Sequence, residues 1–186
     1  MRQTDVRESK PIDDGGRSGW WRTRGVRFKN IHEAAGFLRK MADRASTDIA
    51  IREKALKIIF PAAPARDQPE QALVIAEWVK ENIRYVSDPK ESFERPETTL
   101  RLGAGDCDAQ TVLVCSFLGA VGIKNKMCLL NVGGRWIHIF PVAMPKTKDG
   151  LHRMTLDTTI AEPIRDLVNP IEKITRAGKV PRVLMV

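Results

Sequence analysis

Gly103-Ala104-Gly105-Asp106-Cys107-Asp108-Ala109-Gln110-Thr111-Val112-Leu113-Val114-Cys115-Ser116-Phe117-Leu118-Gly119-Ala120-Val121-Gly122 is the segment that decides the fold. A glycine-broken loop runs into a strongly apolar helix, from about Asp106 to Ala120, that stops at Gly122. A helix apolar on nearly every side belongs at the centre of a domain. Its head is polar. Asp106 suits the N-cap. Backbone N–H groups at a helix N-terminus are unpaired and the dipole end is positive. A thiol there, Cys107, is favoured as thiolate, which lowers its pKa and raises its nucleophilicity. The same N–H groups can donate to a developing oxyanion. Gly103 and Gly105 allow backbone conformations that a β-carbon would forbid and let a substrate chain approach.

Upstream of this helix the spacing predicts three more. Ala34, Ala35, Leu38, Met41 and Ala42 recur at helical spacing over residues 31–44. Ser46-Thr47-Asp48 offers a cap for a second helix through Ile58, ended by Pro61 and Pro64. Asp67 caps a third, with Pro69 just inside and Leu73, Ile75, Ala76 and Val79 on its buried face, Trp78 beside them. Residues 83–86 read as a short strand and 87–105 as a long loop, a length usually tied to function. Downstream, residues 126–132, 135–142 and 151–158 read as strands. Gly133-Gly134 is a two-residue hairpin turn and 146–150 a looser one. Helices followed by a meander of strands make an α+β domain, helices packed on an antiparallel sheet.

The charge sits at the ends. Residues 1–30 hold eight Lys/Arg against four Asp/Glu, and residues 163–186 hold five against two, within a net charge of +8. The expected organisation is therefore a flexible basic arm over 1–30, in which Trp20-Trp21 can dock, a domain over 31–162, and a basic tail over 163–186 with one short helix near 171–176. Such ends can hold nucleic acid or an acidic protein surface, or simply solubilise the chain. No apolar stretch spans a bilayer and the first thirty residues lack an apolar signal core, so a cytoplasmic protein without membrane contact is expected. Three cysteines without a CxxC pair indicate neither a disulfide framework nor a zinc ribbon, and neither metal nor cofactor is expected.

A nucleophilic thiol needs a base, and the chain has three histidines, His32, His138 and His152. Alternation along Trp136-Ile137-His138-Ile139-Phe140 puts Trp136, His138 and Phe140 on one face of a strand. A histidine on a strand against the Cys107 helix can meet the sulfur. Its second nitrogen then needs an acceptor, and Asp157 in Leu156-Asp157-Thr158-Thr159 lies on the next strand. Cys107, His138 and Asp157 could also ligate zinc, but their spacing does not resemble a zinc pattern. Cys107 alone would be read as a small buried residue, Cys115 as core and Cys128 as inert. Tyr85 and Gln110 are candidate oxyanion donors; Trp136 is either core or a substrate wall.

These motifs resemble the transglutaminase-like superfamily. The resemblance is carried by Gly105-Asp106-Cys107-Asp108 with its helix ending near Gly122-Ile123, by the Trp-x-His-x-Phe strand, by Leu156-Asp157-Thr158-Thr159, and by Trp78-Val79-Lys80-Glu81-Asn82-Ile83-Arg84-Tyr85-Val86-Ser87-Asp88 upstream. It covers about residues 70–160 and is strongest to the short bacterial and phage-encoded members. It implies a papain-like fold with Cys107 as nucleophile, His138 as base and Asp157 as orienter, acting on protein or peptide amides through a thioester. Where animal transglutaminases carry Gln and Trp around the nucleophile, this chain has Asp106 and Asp108, which points to acyl-enzyme chemistry more than to cross-linking. The alternative is an inactive module of the same fold, a phage or prophage structural protein whose basic ends contact nucleic acid or a virion protein, associated with the virion rather than free in the cytoplasm.

Overall fold

The computed structural model describes residues 22–23, 26–87, 93–148, 150–166, 171, 175 and 181–186. Trp20, Trp21 and most of the expected N-terminal arm lie outside them, as do parts of the 87–105 and 171–176 segments. A two-residue antiparallel ribbon, β1 (Arg22–Thr23) with β2 (Val26–Arg27), precedes α1 (Ile31–Ser46). Asn30 caps α1 by accepting from the Glu33 N–H at 3.0 Å, and the Glu33 carboxylate accepts from the Lys29 N–H at 2.8 Å, so two otherwise unpaired amides are satisfied together. Asp48 caps α2 (Ile49–Ile59) and Asp67 caps α3 (Gln68–Asn82), with Pro69 in its first turn. Each such cap is worth about 1 kcal/mol.

β3 (Arg84–Tyr85) follows and pairs in parallel with β4 (Ala104–Gly105). Between them the expected continuous loop is interrupted by α4 (Pro96–Leu102). Pro96, inside the segment that reads as loop, is the first helical residue, where a missing N–H is harmless. Thr99 is fully buried. Gly103 ends α4 at φ 60°, in the left-handed region that a residue without Cβ enters without strain.

α5 (Cys107–Ala120) is buried along nearly its whole length and packs against α1, α2, α3, α4 and the two long strands, β5 (Lys124–Val132) and β6 (Arg135–Met144). Gly133 and Gly134, both at positive φ, turn β5 into β6. The hairpin β7 (Lys146–Thr147) with β8 (Gly150–Leu151) leads to β9 (Met154–Thr155), and the chain ends in β10 (Arg182–Met185). The sheet order is β10-β5-β6-β9, all antiparallel. Met127, Leu129 and Ile139 meet α1 and α5, while Cys128, Leu130, Phe140 and Val142 form a second cluster with Ile171 and Met185. Strands covered on both faces read as continuous apolar runs. Fully burying a side chain such as Phe117 or Phe140 contributes roughly 1.5–3 kcal/mol, so the core is concentrated around α5. No helix among the described residues is long and apolar enough to cross a membrane.

Two expectations change. The third strand of the meander is two residues long, and Asp157 lies beyond its end. The end of the chain is also more than a tail. Ile164 is core, Arg165 forks onto Glu70 and Glu77 of α3, and β10 adds an edge strand to β5. β10 carries no hairpin signal because its partner lies far upstream in the sequence.

Candidate active site

The head of α5 is built by close packing. Asp106 accepts from the Ala109 N–H at 3.1 Å, the expected cap. Gly105 does not adopt a left-handed backbone. A Cβ there would stand 2.8 Å from Ala109 Cβ and 3.3 Å from Thr99 Cγ2. Glycine is required because β4 passes tightly over α5 and α4, not for backbone freedom. The pairing of Gly105 with Tyr85 brings the tyrosine beside the helix head.

The strand side is an open sheet edge. β9 pairs with β6 at Val142 and Ala143, with a last bond from the Leu156 N–H to the Pro141 carbonyl at 2.9 Å. Residues two apart on a strand present their backbone groups to the same edge. Beyond Pro141, α5 takes the place that β9 vacates. The Ile139 amide lies beside the Cys107 sulfur and favours its charged form, and the Ile139 carbonyl accepts from Thr111 Oγ1 at 3.2 Å. Positions 107 and 111 share one face of the helix. The thiol is thereby held one residue along β6 from His138.

His138 Nε2 lies 2.6 Å from Asp157 Oδ2, and Asp157 is almost fully buried. An ionised carboxylate only accepts, so Nε2 is the donor, and in the neutral ring the lone pair lies on Nδ1. Asp157 occupies a turn, its Oδ1 accepting from the Thr159 N–H at 3.1 Å and from Thr159 Oγ1 at 2.8 Å. A carboxylate bonding the amide two residues on competes with a strand ladder, which accounts for the short β9. Burial raises the Asp157 pKa. The hydrogen bond and charge of His138, with the two Thr159 bonds, outweigh it and leave the carboxyl below its ordinary value.

Cys107 departs from the expectation of a resting thiolate. Burial pushes the thiol well above its ordinary range, Asp108 and Asp106 push the same way, and the Ile139 N–H only partly offsets them. Desolvation is the largest cause, with the two acidic neighbours adding to it. Asp108 is itself buried, and burial with the adjoining Asp106 holds its carboxyl well up. No direct thiol–imidazole hydrogen bond occurs among the described residues; the backbone group that acts on the sulfur is the amide of the residue after His138.

The other expected site residues divide. Gln110 has no donor left for an oxyanion: its Nε2 donates to the carbonyls of Ile83 at 3.3 Å and Gly105 at 3.2 Å, and its Oε1 accepts from Thr158 Oγ1 at 2.7 Å. Tyr85 is half-exposed. Burial raises its phenol, and the acidic groups around it, Cys107, Asp106, Asp108 and Asp157, push the same way. Trp136 does not share a face with Phe140. A bulge pairs His138 with Leu130 and Trp136 with Asn131, leaving Ile137 as the extra residue. Trp136 therefore packs on the cluster that faces α1 and α5, while Phe140 lies in the opposite one. Sequence reasoning missed Thr159, although a threonine two residues after an aspartate is a turn signal. It also missed the Ile139 amide, which no local pattern marks.

The sequence pattern of the transglutaminase-like superfamily matches residues 57–153, a span that includes Cys107 and His138 and stops short of Asp157. Among solved structures, a candidate protease from Parabacteroides distasonis superposes with a TM-score of 0.57 at 15% identity, covering 91% of this chain and 34% of that one. A candidate cysteine protease from Cytophaga hutchinsonii superposes with a TM-score of 0.53 at 16% identity, covering 80% and 51%. The chain thus spans about a third and about half of those proteins, and the likeness is one of fold. No curated protein sequence matches it. With an apolar central helix on an antiparallel sheet, and the family pattern over more than half its length, the chain belongs to the transglutaminase-like superfamily.

Proposed function

We propose that this protein is a cysteine-nucleophile acyl-transfer enzyme of the peptidase or amidase type, acting on protein or peptide amides. Cys107 is the nucleophile, His138 the general base and acid, and Asp157 the group that orients it. One observation carries the assignment. His138 donates from Nε2 to a buried carboxylate at 2.6 Å, so that in the neutral ring Nδ1 is free for the thiol at the head of α5, which lies beside the next residue of the strand.

Because burial keeps the thiol protonated, its proton passes to Nδ1 as the sulfur attacks the amide carbonyl, not beforehand. The carbonyl electron pair moves to oxygen, where the Cys107 N–H at the helix head and the Tyr85 hydroxyl can donate to it. Collapse breaks the C–N bond, and the amine leaves with the proton from Nδ1. Water then opens the thioester, giving one proton back through Nδ1 to the sulfur; an amine in its place would give transamidation.

The same buried, protonated thiol favours a second reading, a binding module that keeps the fold without turnover. A short peptide carrying a vinyl sulfone in place of the scissile amide separates the two. Selective labelling of Cys107 is expected, slowed by about 10²-fold or more in His138→Ala. Labelling no faster than that of free cysteine, and unchanged in His138→Ala, rejects the enzyme in favour of the binding module.

A further inference from the structure

We infer that Gln110 and Thr158 are positioning residues, a buried polar bridge that registers the Asp157 turn against the nucleophile loop. The inference rests on the proposed roles of Cys107, His138 and Asp157. Because β9 ends before Asp157, no sheet ladder holds that carboxylate in place. Side chains hold it instead. Thr159 closes the turn from within, Lys80 Nζ holds the carbonyls of Ile160 and Glu162 farther along, and Thr158, next to the carboxylate, reaches Gln110.

Gln110 touches three segments that are distant in sequence. Ile83 lies two residues before Tyr85, Gly105 two before Cys107, and Thr158 one after Asp157. Two carbonyls and one hydroxyl converging in a dry space require a group with two N–H donors and one acceptor, which is a primary amide. Glutamate would face the two carbonyls with acceptors, and methionine would take away the partner of the Ile83 carbonyl and of the Thr158 hydroxyl, while the Gly105 carbonyl would keep the Val86 N–H at 3.2 Å. The site half on the helix and the half beyond the sheet edge are therefore joined through one side chain.

Replacing Gln110 would strand the buried Ile83 carbonyl and the Thr158 hydroxyl together and put the fold at risk, so the test falls on Thr158. Thr158→Val removes the hydroxyl at nearly constant shape, and Thr158→Ser restores it. With the vinyl sulfone peptide, Thr158→Val should label Cys107 about tenfold more slowly, since a small misplacement of a catalytic group costs that much. Thr158→Ser should return to near the wild-type rate. In an Asp157→Asn background, Thr158→Val should have no further effect, because the bridge acts through that carboxylate. Ser116→Ala, which removes a buried hydroxyl bonded to the Val112 carbonyl on the same helix, should lower stability without slowing labelling. Equal labelling in Thr158→Val and wild type, or an equal loss in both Asp157 backgrounds, overturns the inference. If His138→Ala slows labelling and Thr158→Val does not, the bridge alone is wrong. If His138→Ala labels as fast as wild type, the proposed function falls and the inference with it.

Discussion

Helix α5 carries two thiols, and its head and its middle treat them differently. Cys115 is fully buried. Its sulfur lies 3.8 Å from the Lys126 carbonyl, with the Arg39 guanidinium beside it, and burial pushes it up to about 12 in spite of that cation. Cys107 is part-buried beside the Ile139 amide, and its ionisable neighbours are acidic, Asp106 and Asp108. By charge alone, Cys115 is the better placed to ionise. The head has what the middle lacks: an imidazole on the adjoining strand residue, a carboxylate behind that imidazole, and access from solvent. On the proposed assignment, a base within reach and an open approach decide which sulfur reacts, and a nearby cation does not.

The contrast breaks most directly at the sulfurs. Cys107→Ala should abolish labelling by the vinyl sulfone peptide, whereas Cys115→Ala should leave the rate per folded molecule unchanged. Mass spectrometry of the native protein should find Cys115 and Cys128 modified only after denaturant is added. Native labelling of Cys115 would end the comparison. Next in size, Asp157→Asn should slow labelling about 10²-fold, within the range of acid–base contributions.

Asp157 also predicts a pH dependence. Its carboxyl lies below its ordinary value in the folded state. Its contribution to stability is thus present above about pH 4, the unfolded value, and is lost as pH falls through the lowered folded one. The urea midpoint of the wild type should fall more steeply below pH 4 than that of Asp157→Asn; parallel curves would contradict the pairing.

Two glycines sharpen the comparison between the ends of α5. A Cβ at Gly105 would stand 2.8 Å from Ala109 Cβ, and one at Gly119 2.9 Å from Ser46 Cβ. Each alanine should cost about 1–3 kcal/mol of stability through overpacking. Only Gly105→Ala should also slow labelling per folded molecule, because it displaces the backbone leading to Cys107. The smallest effect belongs to Arg165→Ala. Its fork to Glu70 and Glu77 is solvent-exposed and should contribute under about 1 kcal/mol in denaturant titration, with labelling unchanged.

Much of this architecture is legible one element at a time. Asp48, Asp67 and Asp106 announce helix starts because an N-cap carboxylate satisfies amides two or three residues away. Gly133-Gly134 announces its hairpin because both positions need positive φ. The reading errs where a residue's meaning depends on a distant partner. Pro96 opens a helix because Thr99 finds a buried place beneath it, and Trp136 changes face because β5 and β6 slip by one residue at Ile137.

The sequence by itself determined four of the helices, α1, α2, α3 and α5, the caps Asp48, Asp67 and Asp106, and the apolar centre of the domain, since those follow from contacts within a turn. The tertiary structure alone decided three things: that β10 adds to the sheet against β5, that Gln110 joins the Ile83 carbonyl and the Thr158 hydroxyl to the nearby Gly105 carbonyl, and that burial raises the Cys107 thiol beside a strand edge. Desolvation and hydrogen-bond partnership are properties of what the folded chain brings together, and no local spacing encodes them.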